Sequence, residues 1–232
     1  MKIVKELFGF ILTFVIIFGV SFALMNFSAV KSLVSFHFFT EEKEMLKETV
    51  GEKELKEIPL PPKGAKKLIK KEFPPLHLSV TPLDFRLVIP KLIKSVPLVA
   101  MPDEYITDDL WGKFEKEVQG YLRDGVVHYP GTASPGQIGN AFFTGHSSYY
   151  PWDKGNFKDV FANLNKLNIG DEYIIFFQQK KYRYRVVEKK EVSPLEVGVL
   201  EQPENKKLST LMTCWPLGTT FRRLIVVAED IT

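Results

Sequence analysis

Few side chains in this sequence are suited to covalent chemistry. Cys214 is the only cysteine among 232 residues. It ends a strand-like run that begins at Leu208, and the turn residues Pro216 and Gly218 follow it at once. A thiol there is held by rigid backbone yet open to a loop-lined cleft, which suits a nucleophile. The competing reading is a small buried core residue, since free cysteine is often fully buried. A nucleophile needs a proton partner, and there are four histidines. His37 lies just past an apolar N-terminal run and His77 in a proline-rich segment, where neither is expected to be held rigidly. His128 and His146 both fall at expected strand ends. His146 follows Gly145 and precedes Ser147 and Ser148, a loop in which a ring can be presented freely. A histidine at a strand end is more often a structural hydrogen-bond donor, but an unpaired thiol in the same chain shifts the expectation toward acid–base work. Attack on a carbonyl also calls for a fixed donor where negative charge develops. Arg222 and Arg223 open the apolar strand Leu224-Ile225-Val226-Val227. An arginine entering such a strand is costly unless it meets an anion or acceptor. Adjacent strand residues face opposite ways, so one of the two arginines is expected in the cleft and the other in solvent.

The elements that must position these groups begin near Pro82. Strands are expected at Asp84–Pro90 and at Ser95–Ala100, the latter interrupted by Pro97 and so at an edge or bend. Thr107–Leu122 is expected to be helical, with Thr107 as cap, Asp108 and Asp109 in the first turn, and Leu110, Phe114, Val118 and Tyr121 on one face. Extended chain follows at Gly125–Gly131, a turn at Ser134-Pro135-Gly136, and a short apolar strand from Asn140 that ends in Gly145-His146. Phe157–Leu167 suggests a helical turn or two. Glu172–Gln178 and Tyr182–Glu188 form a hairpin across Gln179-Lys180. Pro194–Pro203 is a longer loop, and the Cys214 and Arg223 strands close the chain. About eight strands and one or two helices in roughly 150 residues predict a mostly β fold, a closed or nearly closed eight-stranded barrel.

The N-terminal part is different material. Lys2 and Lys5 precede an uncharged run from Leu7 to Val30. As a helix it would span a hydrocarbon core of roughly 30 Å. It is longer than the apolar part of a signal peptide and lacks a good cleavage site, so residues 1–30 are expected to be a cytoplasmic tip and an uncleaved transmembrane anchor. The basic residues favour a cytoplasmic N-terminus and an extracytoplasmic remainder. Residues 31–81, with their mixed charges and prolines from Glu41 to Pro75, predict a stalk; as a flexible coil it would reach roughly 30–40 Å, and Glu41–Glu57 could instead form a solvated helix. Residues 82–232 form the expected globular domain.

These motifs resemble the sortase family. Those proteins carry Thr-Leu-x-Thr-Cys followed by a short loop and an arginine before an apolar strand, as in Thr210-Leu211-Met212-Thr213-Cys214 and Arg223-Leu224-Ile225-Val226. The run His128-Tyr129-Pro130-Gly131-Thr132, then Pro135-Gly136, Gly139-Asn140 and Gly145-His146, is similar in order, and Arg86–Lys91 looks like the first strand. The resemblance covers nearly all of Pro82–Thr232. It implies a membrane-anchored cysteine transpeptidase with Cys214 as nucleophile, His146 as acid/base and Arg223, rather than Arg222, steadying substrate and oxyanion. It gives His128 no catalytic role, and Thr213 a place in substrate or oxyanion binding. It implies a substrate with a Leu-Pro-x-Thr-Gly-like sorting signal and an acceptor amine from a wall peptide or pilin lysine, with no cofactor. Ser147 after His146 and Trp215-Pro216 after Cys214 depart from the common pattern and bear on subclass and pocket shape. The alternatives are a membrane-tethered barrel that binds wall polymer or peptide without catalysis, and a hydrolysing cysteine peptidase. That no second apolar segment follows Thr232 disfavours the pilin-polymerising group.

Composition excludes other classes. Thirty-one basic residues nearly balance twenty-eight acidic ones, for a net charge of +3, and no Lys/Arg cluster is interleaved with aromatics, so nucleic acid is not an expected partner. One cysteine cannot form an internal disulfide or a cysteine-rich zinc site, and no metal is expected.

Overall fold

A computed structural model of the protein describes residues 2–27, 29–36, 82–101, 111–150 and 152–232. The expected stalk from Glu41 to Pro75, His37, His77 and the first residues of the expected Thr107 helix, with Thr107, Asp108, Asp109 and Leu110, lie outside the described residues.

The eight strands are β1 (Arg86–Ile89), β2 (Lys94–Ala100), β3 (Val126–His128), β4 (Gly139–Thr144), β5 (Glu172–Phe177), β6 (Lys180–Val192), β7 (Lys207–Trp215) and β8 (Arg222–Asp230). They close into a barrel in the order β1-β2-β3-β4-β7-β8-β6-β5. The β2–β3 and β4–β7 pairs are parallel and the others antiparallel. Alternation drives this closure. Leu87, Ile89, Phe143, Leu211, Leu224 and Val226 point inward and are almost fully buried. Two tyrosines complete the interior without stranding a hydroxyl. The Tyr173 hydroxyl donates to the Ser209 carbonyl at 3.0 Å, and the Tyr184 hydroxyl accepts from the Gly136 N–H at 2.9 Å.

Helix α1 (Lys2–Met25) contains, at Lys5–Met25, the one described helix long and apolar enough to cross a membrane. Residues 29–36 are again helical. They meet the barrel: Ala29 is fully buried, Phe36 packs against the core, and Asn163 Nδ2 donates to the Ser32 carbonyl and hydroxyl, each at 3.2 Å. Helix α2 (Trp111–Tyr121) sets Phe114 and Val118 into a second apolar cluster with Met101, Leu122 and Val127, on the face that its periodicity predicts.

Some elements differ from expectation in detail. β2 runs through Pro97 inside a closed sheet instead of lying at an edge. The Leu98 N–H is directed to the Phe85 carbonyl on the β1 side, so the Pro97 nitrogen faces the β3 side. There the ladder begins only at Leu98, and no donor is missed. The β5–β6 turn is Gln178-Gln179, one residue earlier than expected, with both residues at positive φ as a two-residue hairpin turn requires. β6 continues four residues past Glu188, where it pairs with β8 through Val192. The Phe157–Leu167 segment folds as turns that end in a short 3-10 helix, Leu164–Lys166.

Candidate active site

Three neighbouring strands bring the sequence-predicted residues together. On β7, Leu211 points into the core, so Thr210, Met212 and Cys214 share the outer face. Antiparallel pairing sets Met212 opposite Ile225 and Cys214 opposite Arg223. On the other side, parallel β4 sets Phe142 beside Thr210 and Thr144 beside Met212. The pairing persists past Thr144, because the Gly145 N–H donates to the Met212 carbonyl at 3.1 Å and the Thr213 hydroxyl to the Gly145 carbonyl at 2.7 Å. β4 ends at Thr144, and His146 follows two residues later on the loop that leaves the strand beside the Cys214 end of β7. Cys214 and Arg223 thus lie side by side on the outer face, with His146 on the loop after β4.

The backbone before His146 is locked. A Cβ on Gly145 would lie 2.6 Å from the Phe161 ring and 2.9 Å from Val160, so only glycine lets that segment pack so closely. The Phe161 N–H donates to the His146 carbonyl at 2.9 Å. Beyond His146 the chain is pinned to the end of α2. Asp153 accepts from Arg123 at 2.8 Å and from the Gly155 N–H at 2.8 Å, and the Asn156 N–H donates to the Arg123 carbonyl.

Burial disfavours the charged form of both the His146 and the Cys214 side chains. His146 is only 8% exposed, its Nε2 is buried without a hydrogen-bond partner, and Tyr149 stacks on the ring with centroids 4.4 Å apart. Burial lowers its pKa to about 4, against a partly offsetting pull from the Asp153 carboxylate. Burial also pushes the Cys214 thiol up, and the nearby Arg223 guanidinium only partly counters this. Arg223 donates through Nη1 to the carbonyls of Thr220 at 3.0 Å and Arg222 at 3.1 Å, which folds its head back along the β7–β8 loop. Arg222, one position earlier, is exposed.

The same outer face continues into an open groove of about 400 Å³. Thr210, Leu208, Ile225 and Val227 line it, with Glu188, Lys190 and Glu201 among its charged residues. The 3-10 turn Val197–Leu200 borders it and is tied down by two side chains that the sequence did not single out for this purpose. Asn140 donates to the Val199 carbonyl and accepts from the Thr210 hydroxyl. Gln202 donates to the carbonyls of Asn140 and Leu200 and accepts from the N–H groups of Ala133 and Asn140. Both lie in segments read as strand or loop, and nothing in local pattern pairs residues 62 positions apart.

Other candidates sit elsewhere. The Nε2 of His128 lies 2.9 Å from the Ala133 carbonyl and 3.3 Å from the Thr132 hydroxyl, which closes the loop after β3. Thr213 faces inward, is 2% exposed, and its hydroxyl is engaged by Gly145. Tyr149 against His146 had no signal in the sequence beyond its proximity. Among the described residues, no cluster of three His, Cys, Asp or Glu side chains could hold a metal ion.

The Sortase domain family matches residues 87–231. A comparison with curated proteins found no match. Among solved structures, sortase C-1 from Actinomyces oris is 29% identical with a TM-score of 0.52, over 64% of this chain and 73% of that one. Sortase C1 of GBS Pilus Island 1 is 26% identical with a TM-score of 0.51, over 64% of each chain, so this chain spans just under two-thirds of that relative's length. The complex of Streptococcus agalactiae sortase C1 and MTSET is 25% identical with a TM-score of 0.52, over 64% of this chain and 68% of that one. A domain match that runs the length of the barrel, on a closed eight-stranded fold shared with solved sortases, means that this chain belongs to the sortase family of cysteine transpeptidases.

Proposed function

We propose that this protein is a membrane-anchored sortase that cleaves a Leu-Pro-x-Thr-Gly-like sorting signal and transfers the acyl protein to an amine of a wall peptide or pilin lysine. In this reading residues 1–30 carry the anchor, with a cytoplasmic N-terminus, and residues 82–232 the extracytoplasmic catalytic barrel; of the expected 31–81 stalk, residues 31–36 are helical with Phe36 packed on the barrel, so the spacer we propose is 37–81. The single observation that carries it is the pairing of Cys214 on β7 with Arg223 on β8, in a sortase barrel whose β4 leads into the His146 loop beside them.

Substrate binding would begin in the groove. An extended peptide advances about 3.3 Å per residue. A signal whose threonine carbonyl sits at Cys214 thus reaches the groove around Thr210 and Val227 with the residues that precede it. The buried, unpartnered Nε2 of His146 accepts the Cys214 proton as sulfur attacks the threonine carbonyl carbon. The Arg223 guanidinium, swung from its loop carbonyls, stabilises the oxyanion. As the intermediate collapses, the C–N bond to glycine breaks, the glycine amine leaves with the proton from His146, and a thioester remains. An incoming amine gives its proton to His146 and forms the new amide, and the thiol leaves reprotonated. No cofactor enters the scheme. For Thr213 we propose positioning rather than substrate contact, because its hydroxyl fixes Gly145 and so the backbone that carries His146.

The test is incubation of the full chain with a Leu-Pro-x-Thr-Gly peptide, with and without an amine acceptor. A ligated product and a trapped acyl-enzyme are expected, both lost in Cys214→Ala. A thiol-reactive vinyl sulfone mimic of the signal should label Cys214 selectively. Hydrolysis alone with acceptor present, or labelling no faster than that of a free thiol, would count against transpeptidation.

A further inference from the structure

Three large aromatic side chains stand out from the barrel at the end where the candidate site opens. Tyr150 and Trp152 are 48% and 71% exposed and stack on one another with centroids 5.0 Å apart. Tyr149 links them to His146, with its ring 5.4 Å from Tyr150 and 4.4 Å from His146. Phe221 is 78% exposed in the β7–β8 loop, immediately before Arg222 and Arg223. Single exposed apolar residues are ordinary on protein surfaces. These differ because of what the same loop touches. Gly218 lies so close to α1 and its continuation that a Cβ on it would come within 2.8 Å of the Phe22 ring and 2.9 Å of Asn26 Oδ1. Phe22 is three residues before the end of the apolar span at Met25, about 5 Å along the helix axis.

We infer that Tyr150, Trp152 and Phe221 form a bilayer-facing rim that seats the mouth of the candidate site at the headgroup level of the membrane that α1 enters. Tryptophan and tyrosine favour that depth because an apolar ring and a polar edge can each meet their own medium. Exposed Lys154 and Arg222 flank the aromatics and would meet anionic headgroups. Donors and acceptors tied to the same surface would then reach the thiol at a raised effective concentration. The inference rests on the membrane-anchored reading of α1, though not on the catalytic one.

The test uses the full chain in phosphatidylcholine–phosphatidylglycerol vesicles, in a Cys214→Ala background that leaves no native thiol. Single cysteines Trp152→Cys, Phe221→Cys, Val15→Cys and Ile138→Cys carry an environment-sensitive fluorophore, and lipids spin-labelled at shallow or deep positions quench it. Ile138 precedes β4, at the end of that strand remote from His146, and is 59% exposed. Quenching by shallow labels about twofold or more above that at Ile138 is expected at 152 and 221, and deep quenching at 15. If 152 and 221 behave like 138 while 15 is quenched, the rim is refuted and the anchor stands. If 15 is also unquenched, the anchor fails and the rim with it. If emission at 152 responds to a sorting-signal peptide but not to lipid labels, the aromatics serve the peptide and the inference is overturned. Tyr150→Cys repeats the measurement where one labelled variant folds poorly by circular dichroism.

Discussion

His128 ends β3 and His146 follows the end of its neighbour β4, yet the two ends are built in opposite ways. At His128 the ring nitrogen meets the Ala133 carbonyl and the Thr132 hydroxyl, and the ring lies over Phe143 with centroids 5.0 Å apart. At His146 the backbone is fastened by Phe161 and Thr213's hold on Gly145, while Nε2 has no partner. One end uses its imidazole to hold a loop. The other holds the chain by backbone and leaves the imidazole unsatisfied. An unsatisfied buried nitrogen is a standing cost, of about 1–3 kcal/mol, that a purely structural histidine has no reason to carry. The contrast separates a fastener from the ring for which we propose acid–base work.

The sharpest way to break that comparison is to remove each ring. His146→Gln should lower peptide transfer by about 10²–10⁴-fold with the fold retained, whereas His128→Gln should keep most of the rate. Equal losses would erase the distinction. Next in size is the arginine pair. Arg223→Ala, opposite Cys214, should cost transfer roughly 10²–10³-fold, and Arg222→Ala much less. A larger loss at Arg222 would mean that the β8 register carries the wrong residue to the oxyanion.

The acid limb of stability sharpens the contrast further. The folded pKa of His146, about 4, lies below the unfolded value near 6.5, so the unfolded chain takes up the proton first. Its contribution is fully present above pH 6.5 and is lost as pH falls toward 4, by roughly 3 kcal/mol. Chemical denaturation across that window should show the loss in the native chain and a shallower fall in His146→Gln. The smallest effect belongs to the fastener: His128→Gln should reduce stability at neutral pH by about 1 kcal/mol, read by chemical denaturation.

The sequence made much of this architecture legible because alternation is a local property. Leu224-Ile225-Val226-Val227 and the run to Cys214 reveal two strands, and the two-residue period alone sends Arg222 and Arg223 to opposite faces. What escaped it lacks a local signature. Glu188-Lys189-Lys190-Glu191 in β6 carries charge on both faces, so only its backbone pairing to β8 reveals it as strand. The hairpin turn lacks glycine and adopts positive φ at two glutamines. Pro97 looks like a break until the side of the strand that its nitrogen faces is known. The clasp of Asn140 and Gln202 over the groove, and Tyr149 on the imidazole, depend on which distant segments meet, and the parallel β4–β7 pair decides that.

That pair has one more consequence. Thr213 and Gly145 bond across 68 positions of chain, and Cys214 lies close to the C-terminal end of the barrel's sequence. Pairing at such sequence separation is slow to form, because a large loop must close before any contact rewards it. A chain growing from its N-terminus therefore lays down six of the eight strands before the one that carries Cys214, so the proposed nucleophile is among the last parts of the barrel to be placed.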